Sequence, residues 1–257
     1  MSLRIMATAD VHLGMKFASY GAIQAELAEA RFAALSTVVE AANVRSCNLL
    51  IVAGDLFHRV NVSVSVVERA ARILHEFQGE VVAVLPGNHD FTSPDADRLW
   101  NSFAEASGDR TLLLNAAEPF DLRPLDLEVV LLAAPCDALH GTDHRLSWME
   151  GFAPPEGNVT VVGVAHGSID GITLDSEGRY FPMSPEFLAS LPPDLWIVGH
   201  THRQHDLTRS RLVVPGTPEP DGFDFTQRGR AALINLEDNG YTVEPVEVYV
   251  VHGQPAV

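Results

Sequence analysis

Five short apolar runs, each ending in a polar cluster with a glycine in or beside it, constrain this chain more than any other feature. They are RIMATAD (4–10), LLIVAGD (49–55), VVAVLPGNHD (81–90), TVVGVAHG (160–167) and DLWIVGHTH (194–202). Runs of Val, Ile, Leu and Ala this short, without polar alternation, read as strands buried on both faces. Between them lie 22–46 and 63–78, with apolar residues at helical spacing, the first with no Pro or Gly inside. Alternating strand and helix predicts an α/β layer with parallel strands. A helix near 95–107, strands at 111–115 and 128–134, and a long loop with a short helix over 168–193 complete the middle. The last 50 residues read as antiparallel strands, with Asp238-Asn239-Gly240 as a hairpin turn. No repeat, low-complexity tract or linker divides the chain, so residues 1–257 are expected to form one domain.

Composition narrows the class. The chain carries 34 acidic and 17 basic residues, a formal charge of −17, which excludes whole-surface attraction to nucleic acid or anionic lipid. The two cysteines, Cys47 and Cys136, are too few for a disulfide framework or a thiolate zinc site. The start, MSLRIMATAD, has no signal-peptide apolar stretch, and no run reaches the roughly 18 residues of a membrane span. A soluble, cytoplasmic, acidic globular protein is expected.

The polar clusters carry the chemistry. They are Asp10-Val-His12, Gly54-Asp55-Leu-Phe-His58, Gly87-Asn88-His89-Asp90, His166-Gly167 and Gly199-His200-Thr-His202. All follow strands, and ligands of open α/β sheets bind at the C-terminal strand edge, here expected to be one edge of one sheet. Carboxylates, one amide and imidazoles without sulfur suit a pair of divalent ions. In Asp10-x-His12 and His200-x-His202, alternation along an extended chain is expected to turn both side chains the same way. Asp55 suits the bridge between ions about 3.5–4 Å apart. His58 can fall at the metal edge or cap a helix, and Asp90 reads as a partner orienting His89 or as a turn carboxylate. Arg59 and Arg203 flank the motifs as phosphate contacts or as solvated arginines. His75, His140, His144, His205 and His252 fall outside the motifs. Any one cluster is weak evidence; five in this order, each after a buried strand, are not.

The order D-x-H, G-D, G-N-H-D, H, G-H-x-H over residues 10–202 resembles the calcineurin-like metallophosphoesterase superfamily. Asp10-Val-His12-Leu13-Gly14, Gly54-Asp55-Leu56-Phe57-His58 and Val214-Pro-Gly-Thr-Pro resemble the SbcD-type DNA repair nucleases, partners of SbcC/Rad50 ATPases. The resemblance implies a four-layer α/β/β/α sandwich of two mixed β-sheets, with the C-terminal strands from about 207 completing the second sheet. It implies one metal held by Asp10, His12, Asp55 and His202, and another by Asp55, Asn88, His166 and His200. It makes a metal-bridging hydroxide the nucleophile, His89 the general acid and His58 a residue that orients His89 or stabilises the transition state. Mn²⁺ is the implied activator, although the ligand set also suits Fe or Zn.

The implied function is metal-dependent DNA exonuclease or endonuclease activity in repair, with DNA as substrate and an SbcC/Rad50-like ATPase as partner. Two departures keep alternatives in play. About 55 residues follow His202, most of them needed by the terminal strands, so the usual capping domain is not expected. The arginines group only modestly, at Arg69/Arg72, Arg209/Arg211 and Arg228/Arg230, whereas backbone binding draws on several cationic contacts. A phosphodiesterase or phosphatase acting on a small molecule, nucleotide or phosphoprotein is the alternative. A non-catalytic scaffold is a minor one, since every expected ligand position is filled.

Overall fold

The structure, a computed structural model, describes residues 3–94, 96–207, 210–220, 228–237 and 240–248. Asp238 and Asn239 of the expected turn, Arg209 and His252 lie outside them.

The five apolar runs are strands: β1 (Leu3–Thr8), β2 (Leu49–Ala53), β3 (Val81–Leu85), β7 (Thr160–His166) and β8 (Leu195–Gly199). Between them run β4 (Thr111–Leu113), β5 (Pro119–Asp121) and β6 (Val129–Ala134). After β8 come β9 (His205–Leu207), β10 (Leu212–Val214), β11 (Arg230–Glu237) and β12 (Gly240–Glu247). The helices are α1 (Gln24–Val44), α2 (Val64–His75), α3 (Asp97–Ser107) and the short α4 (Pro185–Ser190).

Two six-stranded sheets result, ordered β12-β11-β1-β2-β3-β4 and β5-β6-β7-β8-β10-β9. In the first, β1 to β4 are parallel and antiparallel β11 and β12 extend one side; in the second, β6-β7-β8-β10 are parallel with an antiparallel strand at each edge. Both sheets are therefore mixed, as expected. Two expectations change. The motif strands do not share one sheet: β1, β2 and β3 lie in the first and β7 and β8 in the second. The C-terminal strands do not all complete the second sheet either. β9 and β10 do, but β11 and β12 join the first, where β11 pairs antiparallel with β1. Glu237 at the end of β11 pairs with Gly240 at the start of β12.

Burial on both strand faces explains the missing alternation. Ile5, Ala7, Leu49, Ile51, Val81 and Ala83 face Val162, Val164, Leu195 and Ile197 across the gap between the sheets. From the other face of the first sheet, Met6, Leu50, Val52 and Val84 pack with Leu35, Val38, Leu74 and Phe103 of α1, α2 and α3. Outside the second sheet the cover is thinner. Trp196 and Val198 meet Leu188 of α4 together with Met149, Ile169 and Met183 from turns and loops. Burying each such side chain contributes about 1.5–3 kcal/mol. Register therefore follows from the inner faces, since a slip by one residue would exchange the two cores. Among the described residues, no helix is long and apolar enough to cross a membrane.

Candidate metal centre

All five motif strands end on the same side of the sandwich, and their polar clusters meet there. Asp10, His12, Asp55, Asn88, His166, His200 and His202 converge from loops after β1, β2, β3 and β8 and from the last residue of β7. On one side, His12 Nε2 lies 3.4 Å from His202 Nε2 and 3.7 Å from Asp55 Oδ2, and His202 Nε2 lies 3.7 Å from Asp10 Oδ1. On the other, Asn88 Oδ1 lies 3.1 Å from His166 Nε2 and 3.2 Å from His200 Nδ1. Asp55 Oδ2 reaches this side as well, 3.4 Å from His166 Nε2, so a single oxygen faces both groups. The structure thus brings together the residues of both implied sets, with Asp55 between them and Asp10 Oδ1 also 4.0 Å from His166 Nε2.

The donors fit cations by their chemistry. The Ala53 carbonyl can only accept, so at 2.9 Å His166 Nδ1 carries the hydrogen and Nε2 is left to face Asp55 and Asn88 oxygens. With Asp55 and Asn88 oxygens both facing it in a pocket where His166 and Asp55 are buried, Nε2 must share either a proton or a cation with them. The titration behaviour agrees. Burial alone would raise Asp55, but His166, then His12 and His89, hold it well below the usual carboxylate range. Burial works against a charged His166, yet Asp55 and then Asp10 push it up to about 9. Burial and then repulsion from His166 push His200 down to about 3, keeping it in the neutral, ligating form at pH 7.

The loops are shaped for this convergence. Asp10 (φ 56°), His12 (φ 52°), Asp55 (φ 55°) and His200 (φ 88°) all adopt left-handed backbone, each costing about 1–3 kcal/mol that the surroundings must offset. Asp10 and His12 therefore do not converge by alternation along an extended chain, as expected from spacing. A turn brings them together, held by Asp10 N donating to Gly54 O (3.1 Å) and His12 N donating to Asp55 O (2.9 Å). His200 and His202 likewise diverge, one toward Asn88 and the other toward Asp10 and His12. At Gly54 a Cβ would overlap the His166 ring, and at Gly87 it would overlap Asp55.

Two supports carried no motif or only a partial one. Arg31 of α1, 1% exposed, donates to Val11 O at 2.9 Å, between the two left-handed residues. Its signal was faint, a lone arginine on the apolar face of a predicted helix. Thr217, within Val214-Pro-Gly-Thr-Pro, donates its hydroxyl to Asp10 O (2.9 Å) and its N–H to His202 O (3.0 Å). That signature braces the loops rather than touching the centre.

His89 donates Nδ1–H to His58 O at 3.1 Å, which leaves Nε2 for proton transfer, while its N–H donates to Asp55 Oδ1 at 2.8 Å. The His58 and His89 rings stack at 5.3 Å, and the His12 ring stands edge-on 4.9 Å from His89. His58 thus lies at the metal edge and caps no helix, since α2 begins at Val64 after Ser63. Burial, then His89, pushes His58 down to about 4. Asp90 is the turn carboxylate: its two oxygens accept from Gly87 N (2.7 Å) and Phe57 N (2.9 Å), tying two motif loops together. Burial and the Asp55 charge push it up to about 8 against those bonds. Arg59 and Arg203 are exposed beside His58 and His202.

Solved structures share this architecture. TT1561 of Thermus thermophilus matches with TM-score 0.61 and 15% identity, covering 97% of this chain and 100% of that one. The purple acid phosphatase PPD1 from yellow lupin matches at 0.62 and 11% identity, covering 96% of this chain and 52% of that one. Calcineurin-like phosphoesterase YfkN from Bacillus subtilis matches at 0.52 and 13% identity, covering 96% of this chain and 91% of that one. At such identities the likeness is one of fold. No curated protein matches the sequence. The model of the calcineurin-like phosphoesterases matches residues 3–204, most of the chain and every one of the five motifs, and the chain belongs to that family.

Proposed function

We propose that the chain is a dimetal phosphodiesterase of the nuclease type, hydrolysing DNA phosphodiester bonds. Family membership already makes it a metal-dependent phosphoesterase. The nuclease reading rests on the His58–His89 pair, stacked at 5.3 Å with the His58 carbonyl fixing the His89 tautomer. A sugar alkoxide leaves poorly, and His89 Nε2 is the group placed to protonate it.

In this reading Asp10, His12, Asp55 and His202 hold one cation and Asp55, Asn88, His166 and His200 the other. Bound there, Mn²⁺ or a similar dication supplies Lewis-acid stabilisation of phosphoryl oxygens and acidifies water. His58 holds His89 in place by its carbonyl and its ring, and Asp90 fastens the loops. Arg59 and Arg203 would contact neighbouring phosphates of a strand.

One observation favours a smaller diester as the second reading. One arginine of each group that could grip a duplex is engaged elsewhere. Arg69 makes two 2.7 Å bonds to Glu29, Arg228 lies 3.3 Å from Glu247, and Arg211 donates to Pro193 O and Ala189 O. On the DNA reading, cationic grip comes from an SbcC/Rad50-like ATPase partner.

The test is Mn²⁺-dependent digestion of end-labelled single- and double-stranded DNA beside His89→Ala. Degradation that vanishes in the variant is the expected result. Intact DNA with turnover of a nucleoside p-nitrophenyl diester would select the second reading. Turnover of neither by metal-loaded protein would overturn both.

A further inference from the structure

The aromatic ring contacts at the metal edge fall into two chains among the described residues. One, His58–His89–His12–His202, surrounds the proposed acid. The other runs from His166 to His200 (5.4 Å), to Tyr180 (5.0 Å), to His140 (5.3 Å), and so from a buried ligand position to an exposed ring. Neither Tyr180 nor His140 belongs to a motif or is needed to hold a cation.

The outer end of this second chain is fixed rather than loose. Gly141 N donates to Arg179 O and Phe181 N donates to Gly141 O, both at 2.8 Å, so the two loops carrying His140 and Tyr180 are strapped together. Leu139 O accepts from Asn88 Nδ2 at 3.2 Å, tying the same loop to the centre. Leu139 itself is 42% exposed, and so lies beside His140 as apolar surface at the rim. An exposed ring on strapped loops, backed by the half-buried Tyr180 and next to apolar surface, suits a flat heteroaromatic ligand, and base–aromatic stacking tolerates any base.

We propose that His140, backed by Tyr180, is a stacking subsite for the nucleobase on the non-leaving side of the scissile phosphodiester. This rests on the diesterase reading above. The side follows from the acid. His89 gives its proton to the departing oxygen, so the leaving group exits along the His58–His89 chain. The ester that stays on phosphorus is directed the other way, past His200 toward Tyr180 and His140. A base there meets a ring face, and stacking tolerates any base, so the subsite selects nucleosides over simple esters.

The test compares two diesters with the same leaving group, thymidine 5′-p-nitrophenyl phosphate and methyl p-nitrophenyl phosphate, on Mn²⁺-loaded protein. The readout is the ratio of their kcat/KM values. The wild type is expected to favour the thymidine ester by about 10-fold or more, carried by KM. His140→Ala should bring that ratio toward unity, and His140→Trp, which keeps a flat ring, should restore it. An unchanged ratio in His140→Ala, or a lowered one that His140→Trp leaves low, would overturn the subsite. Equal hydrolysis of the two esters by wild type would overturn the subsite and leave the diesterase reading standing. Hydrolysis of neither would overturn that reading too.

Discussion

The two sheets contribute to the centre unequally. The first brings every oxygen donor, Asp10, Asp55 and Asn88, with one imidazole, His12; the second brings only imidazoles, His166, His200 and His202. Their backing differs in the same direction. The first sheet lies under α1, α2 and α3, and its motif loops are tied by Arg31 and Asp90. The second lies under the six-residue α4 and loops such as 168–184. Charge and three of the four left-handed site residues thus sit on the braced half, whereas the thinly covered half has His200 as the fourth and Tyr180 and His140 at its rim. Neither half alone has a complete donor set, so packing the two inner faces together is also what assembles the centre.

The largest expected effect comes from the one side chain facing both halves. Asp55→Ala should lose both metals and all turnover, read by metal content on purified protein; retention of one ion at full affinity would mean that the halves bind independently. Next comes His89→Ala, which should keep both metals yet lower turnover about 10²–10⁴-fold for alkoxide leaving groups. If turnover of a poor-leaving-group diester persisted, His89 would not be the acid.

On the proposed ligand assignment cations join the sheets, so saturating metal should stabilise the fold by about 2.7 kcal/mol at a hundredfold excess over Kd. Denaturant unfolding with and without chelator measures this, and coincident curves would mean that the metal ties nothing together. Arg31→Met should weaken metal binding about 10–100-fold, as loss of outer support does, and mainly at the Asp10–His12 position. Calorimetric titration of protein that still melts cooperatively distinguishes the two ions. Equal weakening of both would make Arg31 a general prop rather than a brace of the first half.

Much of the centre was legible because its residues follow their strands directly. An apolar run announces a buried strand, and the polar residues after it are placed at its C-terminal end whatever the tertiary arrangement. All seven proposed ligands, together with His58 and His89, meet at one edge for that reason. The short edge strand β5, Pro119–Asp121, was not legible, since three residues, two of them exposed, carry no period. The pairing of Arg69 with Glu29 and of Arg228 with Glu247 was equally hidden, because each joins residues far apart in the chain.

The sequence by itself determined the strands, the residues that follow them and hence the chemistry gathered at one edge, because apolar runs and the turns that end them are local properties. Only the tertiary structure decided that two sheets rather than one supply that edge, and that β11 and β12 return to β1. It alone decided that Asp10 and His12 meet through left-handed turns braced by Arg31 and Thr217. Those outcomes depend on which buried faces pack together and on hydrogen bonds such as that from Thr217 to Asp10, 207 positions apart, and no local pattern encodes such distances.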